Sequence, residues 1–379
     1  MLKSVLVIAG EASGDLHGAA LIKELKKLDS EINFYGIGGN KMKDSGVELI
    51  YHSDRMSFLG FAEVVKHLPF IRKVQSQLIE EVKIRKTNFA ILIDYPGFNL
   101  SIAKKLKAID VEIFYYISPQ VWAWGKGRVK KIKKLVKKMF VVFPFEEKFY
   151  REKGVNAEFV GHPLVRELTE YQFLSKEDLI NKFALQTDKE ILLLLPGSRK
   201  HEVKDILPQI YSAAKKISES FNMQIVVACA SSVDESLIRE LIADNAYKII
   251  SGYTYDLMRH SKLGIIKSGT STLEAGLLNL PMIIVYKTSF LTYLIGKTLI
   301  KLKNIGIVNI LLGKTLLPEL IQHNVNSEKI FTEAKSILTD QNRYNSIKSG
   351  LNKLWDLLGN QNAAANTARK IIQHINEKS

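Results

Sequence analysis

Residues 4–15 read SVLVIAGEASGD, an apolar run that breaks at Gly10 into a polar turn and then a helical pattern from Leu16 to Leu25. A short apolar run closed by a turn signal marks a strand buried on both faces, the kind that parallel sheets contain. The unit recurs at Phe34 to Ile37, Phe89 to Ile93, Glu112 to Ile117 and Met139 to Val142. A second series opens at Glu190 to Leu195 and continues through Gln224 to Ala228, Tyr247 to Ile250, Leu263 to Ile266 and Met282 to Val285. Strands alternating with helices make βαβ units. The sequence therefore predicts an α/β chain of two Rossmann-like, doubly wound parallel-sheet domains.

A chain of 379 residues is long for one core and suits two. The boundary is placed near residue 165, after Gly161-His162-Pro163, giving domains 1–165 and 166–344. From 345 onward Leu351, Leu354, Trp355 and Leu358, then Ala363, Ala364, Ala368, Ile371 and Ile372, are spaced for amphipathic helices. Hydrophobic residues at 46% and charged residues at 25% are those of a folded protein. The single cysteine, Cys229, lies in an apolar run and reads as a small buried hydrophobe, so a reducing compartment is expected. The first apolar run is short and meets Gly, Glu and Asp, as a strand does and a signal peptide does not. No run reaches the roughly 18 uninterrupted apolar residues that a spanning helix needs. A formal charge of +15 points to a polyanionic partner: nucleic acid, anionic lipid or phosphorylated substrate.

In open parallel sheets ligands bind where loops leave the carboxyl ends of strands, and four loops there carry chemistry. Gly10-Glu11-Ala12-Ser13-Gly14-Asp15 opens a helix, whose free N–H groups suit an anion. Its acidic pair, Glu11 and Asp15, argues against a bare phosphate cradle, and Asp15 as a helix cap reads equally well. Asp94, in IDYPGFN (93–99), projects from a strand end, where partial burial raises a carboxylate toward the pKa of a base; capping the next helix is the alternative. Pro196-Gly197-Ser198-Arg199 offers a guanidinium fork to two diphosphate oxygens, against the plainer reading of an ion pair with Glu202. Lys267 to Gly276 reads KSGTSTLEAG. There Ser268, Gly269, Thr270, Ser271 and Thr272 form a nest for phosphate oxygens, and Glu274, one turn in, can accept from ribose hydroxyls. No metal is expected, since the eight histidines are scattered and neither HExxH nor paired cysteines occur.

Two stretches could meet a surface. Residues 128–138 place Val129, Ile132, Leu135 and Val136 on one helical face with basic residues elsewhere, as in a solvated helix or one that faces anionic headgroups. Residues 56–71, including Phe58, Leu59 and Phe61, are apolar with Lys66, Arg72 and Lys73 nearby, equally a core helix with basic edges or an interfacial segment.

Taken together, GEASGD (10–15), IDYPGFN (93–99), ISPQVWAW (117–124), FPFE (143–146), VGHP (160–163), LPGSR (195–199) and SGTSTLEA (268–275) resemble the lipid-A-disaccharide synthase family, in order from residue 4 to about 320. The resemblance implies a GT-B fold, two domains facing across a cleft with residues 345–379 returning to the first. It implies inverting transfer of 2,3-diacylglucosamine from UDP to the 6-hydroxyl of 2,3-diacylglucosamine 1-phosphate, without a cofactor. By the same resemblance Asp94 is the general base, with Glu11 the other candidate, and Arg199 lies near the diphosphate. Gly197, Ser198, the 268–272 loop and Glu274 hold UDP, and Asn309 lies on the uridine side. Ser13, Gly14, Asp15, Phe58, Leu59, Phe61, Trp122 and Trp124 fall to the acceptor and membrane side. Gly97 stands where some relatives carry a second acid, which leaves more weight on Asp94. The expected setting is the cytoplasmic face of the inner membrane, with no nucleic-acid partner and the oligomeric state open. Another GT-B enzyme or an epimerase acting on UDP-N-acetylglucosamine would share the Glu274 loop. A non-enzymatic binder of anionic surfaces would use the lysine-rich helix but give no reason for the Arg199 and Glu274 loops.

Overall fold

A computed structural model describes residues 4–56, 67–119, 121–122, 127–288, 304–359 and 362–377. The chain divides into two compact units, Met1–Thr169 with Leu358–Ser379, and Glu170–Leu357.

The first unit is built on β1 (Ser4–Ala9), β2 (Asn33–Gly38), β3 (Val47–His52), β4 (Phe89–Ile93), β5 (Glu112–Tyr116), β6 (Lys138–Val141) and β7 (Ala157–Phe159). All pair in parallel, in the order β3-β2-β1-β4-β5-β6-β7. Val5 to Ala9 are at most 1% exposed, so β1 is covered on both faces, as its unbroken apolar run requires. The second unit holds β8 (Glu190–Leu195), β9 (Met223–Cys229), β10 (Tyr247–Ser251), β11 (Leu263–Lys267), β12 (Met282–Tyr286) and β13 (Glu319–Ile321). Their order is β10-β9-β8-β11-β12-β13, again all parallel. Counted within its own unit, each sheet follows the Rossmann order 3-2-1-4-5-6, and the first adds β7 at the edge.

The C-terminal helices part company. The helix Gln341–Leu358 lies in the second unit up to its last residue, where Trp355 Nε1 donates to the Leu277 carbonyl at 2.8 Å. Ala363–Asn376 belongs to the first unit and packs on the helix Ala12–Leu28. There Asn366 Nδ2 donates to the Val160 carbonyl (3.1 Å), and His374 Nε2 lies 2.6 Å from Glu112 Oε2. The return to the first unit thus begins at 358 rather than 345. The lysine-rich helix Gly127–Leu135 buries Val129 and Ile132 and exposes Arg128, Lys130, Lys131, Lys133 and Lys134. Among the described residues no helix is long and apolar enough to cross a membrane.

Candidate functional site

In the first unit the strand order reverses between β1 and β4, the switch point where open α/β sheets leave a crevice. Ala9 and Ile93 are register partners, so the loops after them, carrying Glu11 and Asp94, emerge side by side. Gly10 permits this: a Cβ there would stand 2.3 Å from Tyr95 Cδ1. Asp94 and Tyr95 are both left-handed, with φ of 45° and 47°. Such a conformation costs a non-glycine residue roughly 1–3 kcal/mol and persists only where the surroundings impose it. Here the Asp94 carbonyl accepts from Tyr115 Oη (2.6 Å) and Asn99 Nδ2 (2.7 Å), while its N–H donates to the Tyr116 carbonyl (3.1 Å). Tyr95 Oη donates to the Met56 carbonyl at 2.6 Å. The clamp acts on the backbone and leaves the carboxylate to other work.

Burial pushes the Asp94 carboxyl up to about 6; the negative charge of Glu11 adds to the rise, and the Tyr95 N–H opposes it. Glu11 occupies the cap position of its helix but its side chain makes no capping bond, and it is exposed. A Cβ at Gly97 would meet nothing within 4 Å, so the position has room for a larger side chain.

Asp15 is not where an acceptor ligand would find it. It is 6% exposed, and its carboxylate accepts from the N–H groups of Gly39 (2.7 Å), Lys41 (3.1 Å) and Met42 (2.9 Å). It therefore caps the helix Asn40–Asp44 rather than its own, a structural task that withdraws it from the acceptor set. Ser13 is exposed; Gly14 is buried, and a Cβ there would come within 3.3 Å of Ala9 Cβ.

Trp122, expected on the acceptor and membrane side, is tied in the structure to Glu146. Glu146 is 1% exposed and accepts from Ser118 Oγ (2.7 Å), Trp122 Nε1 (2.9 Å) and the Phe143 N–H (3.2 Å). Burial raises its carboxyl to about 7 against the pull of these donors. The indole also meets Phe145 edge-on, with centroids 5.0 Å apart. Glu146 thus ties down Ser118 and Trp122 after β5. His162 accepts the Leu164 N–H on Nδ1 and tilts over Phe143. Phe58, Leu59, Phe61 and Trp124 lie outside the described residues.

In the second unit the corresponding switch point falls between β8 and β11, and a pocket of 440 Å³ opens there. Its lining includes Gly197 and Ser198, from the loop after β8, and Gly269, Thr270, Ser271 and Glu274, from the turn and helix after β11. Tyr255 and Thr254, after β10, join them; the Gly252 turn before them was their only signal in the sequence. Arg199 is exposed at the mouth of its loop, 3.8 Å from Glu202 Oε1. Gly197 is left-handed (φ 127°), and a Cβ there would stand 2.7 Å from Glu202 Oε2. The helix Lys200–Phe221 and the helix Thr270–Leu277 start from these two loops. First-turn N–H groups of such helices favour an anion.

Two predicted nucleotide residues are occupied by the fold itself. Thr272 is fully buried and its hydroxyl donates to the Gly269 carbonyl at 2.8 Å, tightening the turn from within. Asn309 is also fully buried: its amide donates to the Leu317 carbonyl (2.9 Å) and Glu319 Oε1 (2.7 Å) and accepts from the N–H groups of Leu316 and Leu317. Every polar atom of that amide is engaged in holding the 304–319 segment, so Asn309 is a structural residue here. Ser268 sits beside the pocket, its N–H donating to the Val285 carbonyl at 2.8 Å.

Over residues 5–374 the chain matches the family model described as lipid-A-disaccharide synthetase. It is 43% identical to the lipid-A-disaccharide synthase of Syntrophus aciditrophicus, over 97% of this chain and 96% of that one. The synthase of Geobacter metallireducens is 38% identical, over 99% and 98%. Among solved structures, the UDP-GlcNAc 2-epimerase of Neisseria meningitidis bound to UDP-GlcNAc superposes with a TM-score of 0.63 at 12% identity, over 99% of this chain and 100% of that one. The calicheamicin glycosyltransferase superposes at 0.62 and 14%, over the whole of both chains. At those identities the structural likeness speaks for the fold, which GT-B glycosyltransferases and these epimerases share.

Proposed function

The chain belongs to the lipid-A-disaccharide synthetase family and is a glycosyltransferase of lipid A synthesis; from that premise we propose its substrates, its stereochemistry and the residues that act. The donor is UDP-2,3-diacylglucosamine and the acceptor 2,3-diacylglucosamine 1-phosphate. The acceptor's 6-hydroxyl oxygen attacks the donor's anomeric carbon from the face opposite the diphosphate. The bond to the diphosphate oxygen breaks with its electron pair, UDP leaves, and configuration inverts to the β-1,6 disaccharide. Asp94 takes the hydroxyl proton. The observation that carries the reading is the Asp94 carboxyl, clamped through its backbone at a switch point and raised to about 6, in the range that suits a base near neutrality.

Leaving-group charge falls to Arg199 and to the N–H groups at the two helix starts around the 440 Å³ pocket. Gly197, Ser198, Thr270 and Ser271 line the diphosphate end, and Glu274 accepts from the ribose. The reaction needs no metal on this account. Arg199→Ala should therefore lower turnover by about a hundredfold or more, while EDTA leaves the wild-type rate unchanged. A chelator that stopped the reaction, or an Arg199→Ala enzyme of normal rate, would overturn this assignment.

A further inference from the structure

We infer that Lys267 is a second cationic group for the diphosphate of the nucleotide sugar, held in place by Glu202. The inference rests on the reading of the second-unit pocket as the UDP-sugar site. Lys267 is the last residue of β11 and directly precedes the Ser268-Gly269-Thr270 turn. It lines the pocket together with Gly197, Ser198, Gly269 and Thr270, the residues whose backbone suits phosphate oxygens.

A lysine could sit there only to neutralise a buried acid, and Glu202 does pair with it: Nζ donates to Oε1 at 2.7 Å. Three observations carry the argument beyond an ion pair. Glu202 is answered twice, since Arg199 also lies 3.8 Å from the same oxygen, so the charge of Lys267, which lines the pocket, is not the only one that balances it. Among the described residues Glu202 is the one hydrogen-bond acceptor of Nζ; an ammonium has three donors, so two are left for a ligand. Finally, Glu202 is tied down on its other oxygen by the Ser198 N–H (3.3 Å), and a Cβ at Gly197 would strike it. Its position is fixed by the loop after β8, and it fixes Lys267 in turn. The Tyr286 ring lies 6.0 Å from Nζ.

Glu202 is thus a positioning residue, and Lys267 touches the ligand. As the bond to the sugar breaks, negative charge grows on the diphosphate oxygen. A cation already placed and paired on its far side needs no reorganisation to meet that charge. Arg199 has a side chain 63% exposed; Lys267, with a side chain 19% exposed on a strand end and paired at 2.7 Å, is the more tightly held of the two.

The test compares uridine with UDP by isothermal titration on wild type, Lys267→Gln and Lys267→Arg. Lys267→Gln should bind UDP about tenfold more weakly, the loss of one hydrogen bond to a charged group, while uridine affinity stays as in wild type and Lys267→Arg retains UDP. Equal losses for uridine and UDP, or an unchanged UDP affinity in Lys267→Gln, would overturn the inference. Removing the lysine strands a buried carboxylate and could unfold the variant, so wild-type protein gives a second reading. Reductive methylation of Lys267, followed by mass spectrometry, should be blocked by UDP and not by uridine; labelling indifferent to UDP rejects the proposal. A wild-type protein that binds neither ligand would instead remove the UDP-sugar reading on which the inference stands.

Discussion

Asp94 bears two costs at once, a left-handed backbone and a carboxylate held against its ordinary ionisation. Its folded pKa, about 6, lies above the ordinary 3.8. Stability that is fully present below 3.8 is therefore lost as the pH rises through about 6, because ionisation is easier in the unfolded chain. A neutral Asn escapes this. Asp94→Asn should thus lower turnover by a hundredfold or more and yet be more stable than wild type above pH 6, by on the order of 2–3 kcal/mol. Near pH 4 the two should melt alike. Thermal melts of both proteins at pH 4 and 8 beside the rate check it, and a stability difference between them that is the same at both pH values would deny the buried, hard-to-ionise carboxylate. The place of Asp94, at the turn that ends a buried strand, was legible in the sequence because the apolar run Phe89 to Ile93 stops there. Asp15, Thr272 and Asn309 were not, because their partners are backbone groups whose place depends on the folded chain: Gly39 to Met42 for Asp15, Leu316 and Leu317 for Asn309.

The loop between β5 and the lysine-rich helix shows what a short element needs when it has no periodicity of its own. Its described part is anchored by Tyr150 Oη on the Pro119 carbonyl and by Ser118 and Trp122 on Glu146. Since the Glu146 carboxyl titrates near 7, its donors matter most when it is charged. Trp122→Phe keeps the ring contact and removes one donor, so it should destabilise by about 2 kcal/mol at pH 8 and by clearly less at pH 5. Urea unfolding at the two pH values measures this, and a pH-independent loss would contradict a bond to a charged acceptor. Among the described strands, the sequence showed the interior ones and the edge strand β10, and missed β3, β7 and β13. All three are edge strands, and β7 and β13 have three residues each. In β3 only Val47 is buried, so no continuous apolar run announces it.

At the scale of the whole molecule, a charge of +15 and the exposed lysines of Gly127–Leu135 support action at an anionic membrane surface. Replacing Lys130, Lys131 and Lys134 by Gln should weaken partition onto anionic vesicles by about 1 kcal/mol per lysine, an effect that high salt removes. Polar substitution of Phe58, Leu59 and Phe61 should weaken it in any salt. Binding indifferent to both sets would place the interfacial surface elsewhere. Both units carry their informative loops at the same point of the same strand order, which is why two sheets could be foreseen from apolar runs alone. The proposed reaction joins two acylated sugars. Its most direct test is UDP release from UDP-2,3-diacylglucosamine by the purified protein, with and without 2,3-diacylglucosamine 1-phosphate. The account predicts release only when both are present, matched one for one by disaccharide; UDP released equally without the acceptor, or none with it, would contradict it.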